Sequence, residues 1–179
     1  KPIVSRSRII ENYAAAPSCR TTRKPYNAPI MYLIGHAAAG VLLASGTNNP
    51  AVAFGLGWLS HYLADFIPHG DEAVGEWTKR GNQVARLALI VMPDLALIAA
   101  ALAATFAARG FSPSILAAAV GALVPDVLWG IETVFKRRLF GPHHKFHDRI
   151  HNFFHWKIPF GYGLVLQAMG TIGMWRLII

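Results

Sequence analysis

The chain has a single cysteine, Cys19, in 179 residues, which excludes an internal disulfide and any cysteine-based zinc site. Charge is scarce too: Asp, Glu, Lys and Arg make up 15% of the sequence, against about 25% in soluble domains. Too little solvating surface is available for an ordinary soluble fold. Neither a Gly-rich phosphate loop nor a G-x-S-x-G nucleophile elbow occurs. Polar and apolar residues do not alternate, which argues against strands. What remains is apolar: 54% of the residues are hydrophobic, against a usual share of about 45–50%. This length suits one domain.

The net charge of +8 would suit nucleic acid if it were spread over one surface. It is instead confined to particular segments, which points to membrane lipids as partners and away from nucleic acid. Residues 1–30 hold Lys1, Arg6, Arg8, Arg20, Arg23 and Lys24 against one acid, Glu11. This is a basic, flexible N-terminal tail by composition, and a transit segment, an upstream extension or a docking arm for a protein partner would share it. Residues 31–179 form the helical transmembrane domain. Five apolar blocks follow the tail, at about 30–45, 51–67, 83–108, 113–135 and 157–176, rich in small residues such as "GHAAAG" and "AAAVGALV" that let membrane helices approach closely.

The expected fold is therefore all-α: a polytopic membrane protein with about five transmembrane helices and a cytoplasmic, amphipathic, His-rich segment. Five crossings place the tail, the 68–82 loop and the 136–156 loop on one side. All Lys and Arg residues except Arg109 and Arg176 then fall on that side. The positive-inside rule makes it the cytoplasmic side, or its organellar equivalent, of an integral membrane protein such as one of the bacterial inner membrane. A soluble bundle is the competing reading, since the first two blocks are short for a span.

Within this apolar chain "WLSHYLADFIPHGDE" (58–72) carries His61, Asp65, His69 and Asp71. Burying such groups costs several kcal/mol unless they are paired or bind a metal. His61 and Asp65 are four apart and share one helix face, while Pro68 and Gly70 end the helix and turn His69 and Asp71 back towards it. His36 lies in the first block, Asp94 in "VMPDLALIAA" and Asp126 in "GALVPDVLWG". In "HHKFHDRIHNFFHW" the histidines recur every three or four residues, as on a surface helix with its aromatic residues at the lipid boundary. His147 and His151 are the candidates there; the alternative is an interfacial helix whose histidines are merely solvated, which would apply to His143 and His155 first.

All these groups fall in the cytoplasmic half or near the midplane, where an ionisable residue inside a membrane helix marks a functional site. Asp94 and Asp126, each preceded by proline, would otherwise be packing aspartates. Imidazole and carboxylate without thiolate suit a divalent metal, zinc first, with manganese or iron as alternatives. Such an ion acidifies bound water and polarises carbonyl or phosphoryl groups. His36, His61, Asp65, His69, His147 and His151 are the candidate ligands, and Asp94 and Asp126 the candidate catalytic carboxylates.

The segments "GHAAAGVLLAS", "GALVPD" and "HDRIH" resemble those of the membrane-bound metal-dependent hydrolase family of bacterial inner membranes, over most of residues 31–155. The chain departs from that family at Val127, Leu128 and Trp129, where the family is acidic, and in lacking glycine and threonine between His147 and His151. The resemblance implies an integral membrane hydrolase with a cytoplasm-facing His/Asp metal site, acting on a lipid or phosphorylated amphiphile. The alternatives are a non-enzymatic subunit of a larger membrane assembly, a transporter of divalent metal or protons, and a haem-binding subunit using His36 and His61.

Overall fold

The computed structural model describes residues 32–70, 74, 77–78, 80–151, 153 and 158–179. The tail of residues 1–30, Asp71 and His155 lie outside the described residues. Among those described, the chain forms six α-helices and no strand: α1 Leu33–Leu43, α2 Pro50–Asp65, α3 Gln83–Arg109, α4 Pro113–Phe135, α5 Gly141–His151 and α6 Phe160–Ile178.

Local sequence sets most of the ends. Asn49 caps α2 by accepting from the Ala51 and Val52 N–H groups, with Pro50 in the first turn, where its missing donor costs nothing. Ser112 and Pro113 repeat the arrangement at α4, and Asn82 caps α3 through the Ala85 N–H. Lys136 closes α4 in the left-handed conformation, φ 52°.

The helices pack through small residues. α2 lies along α4 with Gly57 and Gly121 at the crossing. A Cβ at Gly57 would fall 2.1 Å from the Ala118 oxygen, and one at Gly121 would fall 2.2 Å from the Phe54 oxygen. α1 closes on both through Gly40, whose Cβ would sit 2.8 Å from that of Ala122. The apolar interior is accordingly made mostly of alanines, including Ala37, Ala38, Ala53, Ala118, Ala119 and Ala122. Histidines 36 and 61 are among the largest fully buried side chains, whereas Leu89, Met92, Leu97, Leu166 and Met169 are exposed.

Each apolar block contributes one helix, but the expectation of about five membrane crossings needs correction. Among the described residues two helices, α3 and α4, are long and apolar enough to cross a membrane. Their 27 and 23 residues span about 40 and 34 Å, against a hydrocarbon core of about 30 Å. α1 has 11 residues and α2 has 16, or about 16 and 24 Å. The apolar blocks overstate them, because Ala44 and Ser45 belong to the turn after α1, while Phe66 and Ile67 follow the end of α2. α6 has 19 residues, but its glycines, Tyr162, Gln167 and Arg176 dilute its apolar character.

Candidate metal centre

The close crossing of α2 and α4 has a chemical consequence one turn further along. It brings the His61 ring against the α4 backbone, with Nδ1 2.8 Å from the Ala122 oxygen. A carbonyl oxygen can only accept, so Nδ1 carries the proton, and in the neutral ring Nε2 then presents a lone pair. Metal-binding histidines are commonly held this way, the far nitrogen donating to a backbone carbonyl.

His61 Nε2 meets three further donors. It lies 3.1 Å from Asp65 Oδ2, one turn along α2, 3.2 Å from His147 Nε2 on α5 and 3.8 Å from Asp126 Oδ1 on α4. His147 Nε2 is in turn 3.5 Å from both Asp65 Oδ2 and Asp126 Oδ1. Ligands bound to zinc at 2.0–2.2 Å in a tetrahedron are about 3.3–3.6 Å apart, so these spacings match the edges of a coordination shell. His36, fully buried on α1, points its Nε2 at Asp65 Oδ1 (3.4 Å) and Asp126 Oδ2 (3.9 Å). His151 Nε2 reaches Asp65 Oδ2 at 3.1 Å.

Several of these atoms are close without being hydrogen-bonded. By hydrogen-bond geometry, both ring nitrogens of His36, both oxygens of Asp65 and both ring nitrogens of His151 are buried with no partner among the described residues, although His61 and His151 Nε2 each lie 3.1 Å from Asp65 Oδ2 as imidazole–carboxylate pairs. Buried polar atoms are nearly always satisfied, and lone pairs that converge without bonding are what a shared cation would satisfy. Burial also holds the His151 pKa below its usual value, favouring the neutral imidazole that a metal requires.

Among the described residues, three donor groups are spaced so that they could hold an ion: His36, His61 and Asp126; His61, Asp65 and His147; and Asp65, His69 and His151. All six candidate ligands, with Asp126, are therefore brought together from four helices and the turn after α2. Asp94 lies outside the three donor groups but lines the cavity that Asp126, His147 and His151 also line. Its carboxylate accepts the Leu33 N–H and, at 3.2 Å, the Ile34 N–H, so it caps α1 from another helix. That cap fixes the end of the helix from which His36 projects one turn later.

Two positioning residues had no place in the sequence argument. Gln167 of α6 donates to the His69 oxygen at 3.0 Å and accepts the Tyr32 N–H at 3.1 Å. Gly163 leaves room for this turn, since its Cβ would lie 1.9 Å from the His69 oxygen. Glu132 of α4 accepts the Phe140 N–H and lies 2.7 Å from His144 Nδ1, which ties down the start of the histidine-bearing α5. The available signal was that each is a strongly polar residue within an apolar block, as Asp126 is.

A cavity of about 390 Å³ adjoins the cluster, walled by Leu87, Val91, Val127, Trp129, Ile131 and Val134 and reached by Asp126, His147 and His151. It lies between α3 and α4. Comparisons with protein-family models, with curated proteins and with solved structures give no match for this chain.

Proposed function

We propose that the chain is an integral membrane, metal-dependent hydrolase whose substrate is a lipid or phosphorylated amphiphile. The observation that carries this reading is the convergence of imidazole and carboxylate donors at coordination spacing on the end of an apolar cavity. An all-polar pocket would suit a water-soluble substrate. Here the donors offer one reactive, hydrophilic end, and the walls offer a chain-binding slot.

A divalent cation held by these residues supplies a Lewis acid and a source of hydroxide near neutral pH. Zinc suits the donor set best, with manganese or iron as alternatives. The protein's own part is orientation and proton transfer. Asp65 is wholly buried, while the Asp126 side chain is 23% exposed, so Asp126 is the carboxylate that can take a proton from an attacking water. The apolar walls exclude bulk water and align the scissile group with the donors.

Membrane residence rests on α3 and α4, crossing as a hairpin joined by residues 110–112. Arg80, Arg86, Lys136, Arg137 and Arg138 cluster at one end of that hairpin and Arg109 at the other, which favours the former end as cytoplasmic. α5 follows directly at that end, so the site faces the cytoplasm.

The test is elemental analysis of detergent-purified protein beside a His61→Ala, Asp65→Ala variant, followed by a screen of lipid phosphoesters and amides. Near-stoichiometric zinc, manganese or iron, lost in the variant together with hydrolysis, supports the reading. Metal without turnover would leave a metal-bearing subunit. Absence of metal from folded protein would sink the proposal.

A further inference from the structure

We infer that Gly130 decides which substrates the centre accepts, by keeping open a slot for one hydrocarbon chain that runs along α4 away from Asp126. The inference rests on the amphiphile reading above and deepens it. α4 carries two glycines, Gly121 and Gly130, and they have different surroundings. A Cβ at Gly121 would fall 2.2 Å from the Phe54 oxygen, so the approach of α2 requires that glycine, whereas a Cβ at Gly130 would meet nothing within 4 Å. Glycine weakens a helix interior, and no packed neighbour accounts for it at position 130.

The cavity accounts for it. Asp126, Val127, Trp129, Gly130, Ile131 and Val134 line it from α4, and at 3.6 residues per turn the others fall to either side of Gly130. A side chain at 130 would therefore project into the middle of the space. The antiparallel α3 supplies the other wall through Leu87, Ala88 and Val91, again with a small residue between larger ones. From Asp126 to Val134 the helix rises about 12 Å, with Gly130 about 6 Å along. His147 Nε2 lies 3.5 Å from Asp126 Oδ1, so the donors gather at the Asp126 end. Asp148, a further acid of the lining, is engaged by His144, whose Nε2 lies 3.4 Å from it.

A volume of about 390 Å³ stands near the lower end of small-ligand sites, about 300–1,000 Å³, which suits one chain better than two. The substrate class is thus a single-chain amphiphile whose scissile group lies at the donors and whose chain passes Gly130. Burial of that chain holds the scissile group in place, and the open position at 130 sets how long a chain can contribute.

The experiment displaces a fluorescent alkyl probe from the full chain in detergent with n-alkyl phosphates and n-alkanols of increasing length, for wild type, Gly130→Ala and Gly130→Leu, with metal counted in each. Comparing variants at one chain length cancels partition into detergent. Wild-type affinity should rise about fourfold per added methylene until the slot is full. In Gly130→Leu the rise should stop several methylenes earlier, so that long chains lose about tenfold or more while short chains bind as before, with Gly130→Ala in between. The same length dependence in Gly130→Leu, an equal loss at every length, or no rise with length in wild type would each overturn the slot. The expected break in protein free of metal, with phosphates and alkanols bound alike, would support the slot and overturn only the metal reading.

Discussion

α2 and α3 are both apolar helices, and they use their side chains in opposite ways. α2 buries Ser60, His61 and Asp65 and exposes Val52, Leu59 and Leu63. α3, at 27 residues, buries little besides Asp94, Ile98 and Thr105 and leaves Leu89, Met92 and Leu97 more than half exposed. In a water-soluble protein this distribution would be inverted. The contrast teaches that burial here follows proximity to the polar centre, and that apolar side chains are left on the surface of both helices.

Four substitutions break or sharpen that contrast. Gly57→Leu should have the largest effect. It drives a side chain into the Ala118 carbonyl, parts α2 from α4 and removes His61 from the Ala122 oxygen. The expected loss is about 3 kcal/mol or more, read as collapse of the monodisperse peak and of metal content together. Retention of metal would show that the crossing is not what sets the site.

Gln167→Leu should be milder and more selective. It frees the His69 turn without touching a donor, so metal affinity should fall about 10–100-fold while helicity by circular dichroism is preserved. An unchanged affinity in a chelator competition would remove Gln167 from the account.

Asp94→Ala tests whether this buried acid belongs to the fold or to the chemistry. As a cap it should cost about 1 kcal/mol, seen as a lower midpoint of unfolding, with turnover reduced no more than metal loading is. A loss of turnover at full metal loading would make Asp94 catalytic after all. Leu97→Ala on the exposed side of α3 should have the smallest effect, within about 0.5 kcal/mol in detergent. A much larger loss would mean that α3 packs against protein instead.

Much of this was legible in the sequence, for identifiable reasons. The Asn49-Pro50 and Ser112-Pro113 pairs mark helix starts by side-chain chemistry alone, and the four-residue spacing of His61 and Asp65 places both on one face wherever the helix lies. Pro68 and Gly70 likewise announce the turn that carries His69. The number of crossings was not legible, because apolar residues in turns, such as Phe66 and Ile67, cannot be told from helical ones by composition. Nor were the roles of Asp94, Gln167 and Glu132. Asp94 acts on backbone 60 residues away, Gln167 on backbone 98 residues away, and Glu132 on a turn whose path depends on the left-handed Lys136. Periodicity carries no information about such partners.

The donors run from His36 to His151, so the cluster closes only when α5 returns to helices made long before it. A chain stopped after α4 would hold His36, His61, Asp65, His69 and Asp126 but lack both α5 histidines. During synthesis, the ability to retain an ion would therefore mature last, and a bound ion would certify that the α3–α4 hairpin has been laid down and α5 docked.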